Sequence, residues 1–171
     1  DFNKLIPDFG SIGKTEWNKP CFDTKDKFHI AGLACAALLV IFCFIPWFSV
    51  AGKANVLITT ITVEGSRLGI SLWYGIFAFL GGAVALYGML YKNYQFAFCG
   101  AAIALLMAFI GLFIVPSVNV TMAGISKEIT SADVKVMLEA SGVSSGRIGA
   151  ILALLASAGV GACAFLKINE K

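Results

Sequence analysis

The residues most suited to chemistry lie near the beginning of the sequence. The stretch Gly10-Ser11-Ile12-Gly13-Lys14-Thr15 ends like a phosphate-binding loop, in which glycines let backbone N–H groups close around phosphate. The first glycine of that motif belongs at position 8, where the sequence has Asp8, and no β-strand is predicted before it. Asp8-Phe9-Gly10 matches a kinase tripeptide, but the other kinase motifs are missing. We therefore predict no nucleotide site here.

His29 is the only histidine, so a Ser/His/Asp arrangement would have to include it, and its nearest acidic neighbour is Asp26. We predict that His29 is an interfacial anchor, with proton handling as the alternative. No CxxC pair occurs, so neither a zinc ribbon nor a redox dithiol is indicated. We predict no catalytic residue, no metal site and no cofactor, and hence no enzyme. Cys21 is expected to meet water, whereas four cysteines in apolar runs are expected to act as small hydrophobic side chains: Cys35, Cys43, Cys99 and Cys163.

The composition is that of a membrane protein. Of 171 residues, 58% are hydrophobic and 13% are charged, and the mean hydropathy is +0.85. Soluble domains carry roughly a quarter charged residues. The net charge of +3 is too small and too dispersed to predict nucleic-acid binding.

Four apolar runs contain no charged residue, at about 28–48, 70–90, 96–115 and 148–166. A helix of about 20 residues is long enough to cross the hydrocarbon core of a bilayer. The short linker Tyr91 to Gln95 can only fold the second and third runs into an antiparallel hairpin. We therefore predict an all-α membrane protein: a bundle of four transmembrane helices with small β-rich extracytoplasmic loops and one short amphipathic helix. Residues 1–27 would form a cytoplasmic N-terminal arm.

Small residues recur on one face of three of these runs, where they would let helix backbones approach closely. We interpret them as packing positions within the bundle, with a dimer face as the alternative. They are Gly149, Ala153, Ser157 and Gly161 on the last run, Gly100, Ala104 and Ala108 on the third, and Ala78 and Gly82 on the second. Aromatic residues at the run ends are predicted to be interface anchors: Trp47, Trp73, Tyr91 and Tyr94.

The loops contain patterns typical of strands. Val56 to Val63 is almost entirely β-branched and predicts a strand, with Glu64 to Arg67 as a turn and a short second strand from Leu68 onward. Val118 to Met122 predicts a further strand beside this hairpin. Thr130 to Ala140 predicts the amphipathic helix, with Thr130 as its cap. Pro46-Trp47 is predicted to close the first span.

Lysine and arginine are unevenly distributed if four spans are assumed. Eight of them lie on the side of the termini and five on the side of the two long loops. The positive-inside rule then predicts cytoplasmic termini and extracytoplasmic loops. We expect an integral protein of a bacterial inner membrane.

Ile45-Pro46-Trp47-Phe48-Ser49-Val50 at the end of the first run, a strand-rich loop, and Gly69-Ile70-Ser71 opening the second resemble a group of small uncharacterised bacterial four-span membrane proteins. The plan is also similar to the claudin-type tetraspan fold, whose Gly-Leu-Trp element is echoed by Gly69 to Trp73. The paired loop cysteines of that family are absent and the loop is shorter, so no barrier or pore role is carried over.

The runs contain no Asp, Glu, Lys or Arg, whereas transporters and pumps usually place ionisable groups at membrane depth. We therefore predict a non-enzymatic accessory or structural subunit of a larger membrane complex. A small homo-oligomeric channel or transporter is the alternative, and Gly81-Gly82 is the one hint of a broken helix. The expected partners are the lipid bilayer and other membrane subunits; a homo-oligomer is possible.

Overall fold

The structure is a computed structural model that describes residues 26–56, 59–122, 125–140 and 144–169. The predicted N-terminal arm, apart from its last two residues, lies outside these ranges, as do Cys21 and the Gly10 to Thr15 stretch. The described residues form helices α1 (Lys27–Phe42), α2 (Trp73–Leu90), α3 (Tyr94–Phe113), α4 (Ser131–Ala140) and α5 (Ile148–Asn169), together with five strands.

The long helices form an antiparallel four-helix bundle. Helix α2 packs against α1 and α3, and α5 packs against α1 and α3, so α1 lies diagonally opposite α3. Three of these helices, α2, α3 and α5, are long and apolar enough to cross a membrane. Helix α1 is as apolar but has 16 residues, which is about 24 Å of rise.

The bundle is built with small residues inside and large apolar residues outside. Many of its inward positions are alanines with no exposed surface, namely Ala36, Ala78, Ala85, Ala97, Ala104, Ala108, Ala153 and Ala164. Most of the leucine, isoleucine and phenylalanine side chains of the helices point outward, with Leu39 a buried exception, and the exposed fraction reaches 70% at Phe113 and 61% at Leu155. A continuous exposed surface of this kind is unfavourable in water and matches lipid, where close backbone packing holds helices together.

The first apolar run, predicted as a span over 28–48, is divided between two kinds of structure. Helix α1 ends at Phe42, and its last turn tightens through hydrogen bonds such as that from Phe44 N to Ile41 O, at 3.0 Å. Pro46 then opens strand β1 and has no N–H group with which to continue a helix. The prediction that Pro46-Trp47 closes the span was therefore wrong: these residues begin the sheet.

The two loops together form one antiparallel sheet. Its strands are β1 (Pro46–Val56), β2 (Thr59–Leu68), β3 (Val118–Met122), β4 (Ile125–Ile129) and β5 (Ser144–Gly146), in the order β4-β3-β2-β1-β5. The first loop supplies β1 and β2, and the second supplies the other three. The predicted strand over Val118 to Met122 is confirmed, and it lies beside the first hairpin because Val63 pairs with Met122.

The predicted turn at Glu64 to Arg67 was wrong. These residues lie within β2, where Glu64 pairs with Ala51 of β1 on one side and with Thr121 of β3 on the other. Glycine and serine are common in turns, and this is why the stretch was predicted as one. Pairing with neighbouring strands satisfies the backbone N–H and C=O groups of these residues as well as a turn would. The hairpin pairing continues to its far end, where Val56 faces Thr59.

Helix α4 lies where the amphipathic helix was predicted. The carbonyl oxygen of Thr130 accepts the N–H of Val134, and the Thr130 hydroxyl donates to Asp133 at 2.6 Å. Val134 is buried. In the sequence, α4 connects β4 to β5, and α5 begins after β5.

Candidate functional sites at the two ends of the bundle

Trp47 joins the sheet to the bundle. It sits at an irregularity in β1, where Pro46 pairs with Leu68 but Phe48 pairs with the preceding residue, Arg67, so Trp47 is the extra residue of a bulge. Its side chain turns into the bundle and is 1% exposed. The predicted role of Trp47 as an interface anchor therefore does not match its position.

Three glycines make room for the Trp47 ring. A Cβ atom added at Gly149 would lie 2.7 Å from its Cδ1 atom, and one at Gly111 would lie 3.2 Å from Cε3. A Cβ atom at Gly69 would overlap the indole nitrogen. We call these residues the Trp47 socket: they come from α5, α3 and the 3₁₀ turn Gly69–Ser71. Gly149, predicted to pack against another helix, instead receives the start of β1.

The other predicted packing residues lie inside the bundle. Ala78, Ala104, Ala108 and Ala153 share one buried cluster with Trp47. Ser157 is buried, and its hydroxyl donates to Leu154 O at 2.9 Å. The distances from an added Cβ atom show what each glycine faces. Gly82 faces Leu39 of α1, and Gly100 faces the backbone of α2. Gly161 faces α3, where an added Cβ atom would fit without a clash.

The closest backbone approach between helices, that of α2 and α3, involves Gly100, which was predicted as a packing position, and also Gly81 and Gly88, which were not. A Cβ atom added at Gly88 would lie 2.5 Å from the backbone nitrogen of Ala97, and one at Gly81 would lie 2.8 Å from the carbonyl oxygen of Gly100. The signal was present: Gly81, Ala85 and Gly88 recur on one face of α2 at helical spacing.

A cleft opens at the sheet-side end of the bundle, where β2 meets the starts of α2 and β3. We call it the Arg67 cleft; its volume is about 240 Å³. The Arg67 side chain is 25% exposed, and its Nη2 group lies 3.0 Å from Oε1 of Glu128, which is 63% exposed. Arg67 Nε also donates to Ser117 O at 3.1 Å. Other residues lining the cleft are Ser71, Leu72, Trp73, Tyr74, Ile114 and Pro116.

A second polar group of residues lies at the opposite, sheet-distal end. The Asp26 carboxylate accepts the backbone N–H groups of Phe28 and His29 and so caps α1. It also lies 2.7 Å from the Lys167 ammonium in the last turn of α5. Hydrogen bonding to Lys167 holds the pKa of Asp26 below its ordinary value. This ion pair connects the first and last helices of the bundle.

His29 is fully buried beside this ion pair, in contrast to the interfacial anchor predicted from sequence. The Tyr94 hydroxyl lies 3.4 Å from its Nδ1 atom, and the two rings meet edge to face. Asn93 caps α3 by accepting the N–H of Phe96 at 3.3 Å. Its amide nitrogen is buried, with no hydrogen-bond partner among the residues that the structure describes.

The remaining predicted anchors occupy both ends of the bundle. Trp73 lies at the sheet side with an exposed fraction of 54%. Tyr91 and Tyr94 lie half-buried at the sheet-distal end, where the Tyr91 ring lies 4.4 Å from that of Tyr87. Trp73 and the Tyr87–Tyr91 pair therefore lie at opposite ends of α2.

Comparisons with protein-family models, curated proteins and solved structures found no match for this chain. Within the ranges that the structure describes, no three His, Cys, Asp or Glu side chains converge on a point that could hold a metal ion. The described cysteines, Cys35, Cys43, Cys99 and Cys163, are free thiols.

Proposed function

We propose that this chain is a non-enzymatic integral membrane protein that serves as an accessory or structural subunit of a larger membrane complex. In this proposal all four long helices cross the bilayer, both termini are cytoplasmic, and the sheet is extracytoplasmic in the inner membrane of a bacterium. The lipid bilayer and other membrane subunits are its partners. The observation that carries the proposal is the combination of a tightly packed interior with a sheet whose Trp47 side chain is buried in that interior.

The packed interior supports a structural role over transport. The backbones of α2 and α3 approach so closely at Gly81 and Gly100 that a methyl group on either would contact backbone atoms at 2.6–2.8 Å. Alanines without exposed surface fill the centre of the bundle. A substrate would have to separate these helices and give up their close contacts to pass through.

The sheet supports a role in assembly. The Trp47 socket holds β1 on the bundle, while the pairing of β5 with β1 ends at Ala51 and that of β3 with β2 ends at Val63. Beyond these points the described parts of β1 and β2 continue as a two-stranded ribbon to the Val56–Thr59 pair. A ribbon of this kind is marginal alone, and its outer edges can pair with a partner's strand.

Purification of the full-length protein from its native membranes in mild detergent tests this role. We expect it to elute with companion proteins in fixed stoichiometry, identified by mass spectrometry. A homo-oligomer of defined size would favour the alternative, a small channel or transporter. A monomer without companions would contradict both.

Membrane topology is tested separately by labelling. Cysteines placed at Lys92 and at the exposed Lys135 in a cysteine-free background should react with a membrane-impermeant reagent from opposite sides of the membrane. A tag at each terminus should report the same side as Lys92. If the N-terminal tag reports the opposite side, α1 does not cross the membrane and the four-span proposal is wrong.

A further inference from the structure

The Arg67 cleft combines a cation with an apolar wall at one level of the molecule. Arg67 is the penultimate residue of β2, two residues before the 3₁₀ turn that leads into α2. Trp73, the first residue of α2, lines the same cleft, as do Ile114 and Pro116 just past the end of α3. The cleft therefore lies where the apolar bundle ends and the polar sheet begins, which is the depth of lipid headgroups.

Arg67 retains the capacity to bind an anion. A guanidinium group has five N–H donors, and the bonds to Ser117 and Glu128 use two of them. Ser117 fixes Nε through a backbone oxygen, so the position of the guanidinium does not depend on Glu128 alone. Because Glu128 is 63% exposed, its carboxylate can move aside and be solvated by water when another anion approaches.

The apolar wall of the cleft continues along the bundle. Trp73, Phe77 and Leu80 follow one another on the outer face of α2 and are 49–54% exposed. On the neighbouring helix α3, the exposed rings of Phe109 and Phe113 lie 5.0 Å apart and end just below Ile114. An acyl chain lying along these surfaces would extend directly from a headgroup held at Arg67.

We propose that the Arg67 cleft binds the phosphodiester headgroup of a phospholipid in the sheet-side leaflet. The guanidinium of Arg67 donates to the phosphate oxygens in a charge-assisted contact. Trp73 packs against the glycerol backbone and the first acyl carbons, where amphipathic aromatic rings are favoured. This inference rests on the proposed membrane arrangement but not on the subunit role.

The test uses the full-length protein in a non-ionic detergent, titrated with dioleoylphosphatidylglycerol and analysed by native mass spectrometry. Dioleoylglycerol, which has the same acyl chains and no phosphate, is the control lipid. We expect retention of about one phosphatidylglycerol molecule per chain and none of dioleoylglycerol. Equal retention of both lipids would show that the acyl chains alone bind, which would overturn the proposal.

Two variants of the same ion pair should act in opposite directions. Arg67→Gln removes the cation and should weaken phosphatidylglycerol binding about tenfold, as expected for loss of a charge-assisted hydrogen bond. Glu128→Gln removes the competing charge and should strengthen it. Arg147→Gln is the matched control, because Arg147 lies 5.6 Å over the ring of Phe48 and does not line the cleft.

A purely structural Arg67–Glu128 pair would give a different pattern: both variants would lower the unfolding temperature and neither would change lipid retention selectively.

Competition with sodium phosphate at millimolar concentration is the last control. If inorganic phosphate displaces phosphatidylglycerol stoichiometrically at these concentrations, the site is a general anion site and the assignment to a lipid fails. Failure of the companion-protein purification described above would leave this result unaffected.

Discussion

The indole N–H of Trp47 donates a 2.9 Å hydrogen bond to the carbonyl oxygen of Phe42, five residues earlier in the chain. Phe42 is the last residue of α1, and its carbonyl also accepts the backbone N–H of Ile45 at a longer 3.3 Å. One side chain therefore caps the first helix, fills the socket between three glycines and begins the sheet.

Trp47→Phe should destabilise the protein although the ring remains aromatic. The variant removes the shorter of the two hydrogen bonds to the Phe42 carbonyl and leaves the one from Ile45 N, so the lost bond costs about 0.5–1.5 kcal/mol. We expect a clear fall in the midpoint of thermal unfolding in detergent, measured by calorimetry. Trp73→Phe is the control, because Trp73 is 54% exposed and should shift the midpoint little. Equal shifts in the two variants would contradict the capping role.

Gly100→Ala should disrupt the contact between α2 and α3. The added methyl group would lie 2.6 Å from the nitrogen of Ala85 and 2.7 Å from the oxygen of Gly81, and backbone atoms cannot move aside cheaply. Overpacking of this kind costs about 1–3 kcal/mol. Gly161→Ala is the matched control, since its new Cβ atom would lie an ordinary 3.9 Å from the Cβ of Ala101.

The measurement for this pair is the fraction of protein that remains monodisperse on size-exclusion chromatography after heating. We expect Gly100→Ala to lose monodispersity at a lower temperature than the parent protein. Gly161→Ala should match or exceed the parent, because alanine is also the better helix former. If both variants behave alike, the α2–α3 contact is not under the constraint described.

The ion pair between Asp26 and Lys167 should make stability depend on acid pH. Because the pKa of Asp26 is lowered in the folded protein, the carboxylate stabilises the fold above its unfolded pKa of about 4. That stabilisation is lost as the pH falls through the lower, folded pKa. The side chains are 24% and 13% exposed, so we expect a contribution of about 1 kcal/mol or less.

Asp26→Asn tests this linkage while keeping a residue that caps helices well. The difference in unfolding midpoint between pH 6 and pH 3 should become smaller in the variant than in the parent. Lys167→Gln should reduce the same difference, since it removes the partner that holds the carboxylate charged. An unchanged pH profile in both variants would show that other carboxylates dominate acid sensitivity.

Asn93 provides a test of a cap that carries an unsatisfied group. Asn93→Ala removes the acceptor for the N–H of Phe96 and should cost about 1 kcal/mol. Asn93→Ser keeps a capping oxygen and removes the buried amide nitrogen that has no described partner. We therefore expect the serine variant to be at least as stable as the parent in chemical denaturation followed by circular dichroism. A serine variant as unstable as the alanine variant would show that the amide has a partner.

The helices could be predicted from sequence because lipid requires long charge-free runs, and α2, α3 and α5 follow those runs closely. The end of α1 was predicted less well. Ile45 to Phe48 is an apolar stretch, and apolar residues are compatible both with lipid and with a protein core. Hydropathy cannot separate these environments, so the start of β1 was assigned to the first span. Burial of His29 was missed for a related reason: it depends on which helix lies next to α1.

The candidate sites depend on pairings across long stretches of sequence. Arg67 meets Ser117 and Glu128 only because β2 pairs with β3 and β3 with β4. No local pattern specifies that register, and the Glu64 to Arg67 stretch resembled a turn. The socket glycines were visible in sequence, but their common target became clear only when α3, α5 and the 3₁₀ turn met around one ring.

The order of strands in the sheet has a consequence for biogenesis. Strand β5, which completes the sheet next to β1, is followed directly by α5, the final described helix. While the chain is being synthesised, the edge of β1 that pairs with β5 therefore stays open until Ser144 to Gly146 have been made. A chain interrupted before Ser144 would therefore leave this edge of β1 unpaired and available to another strand.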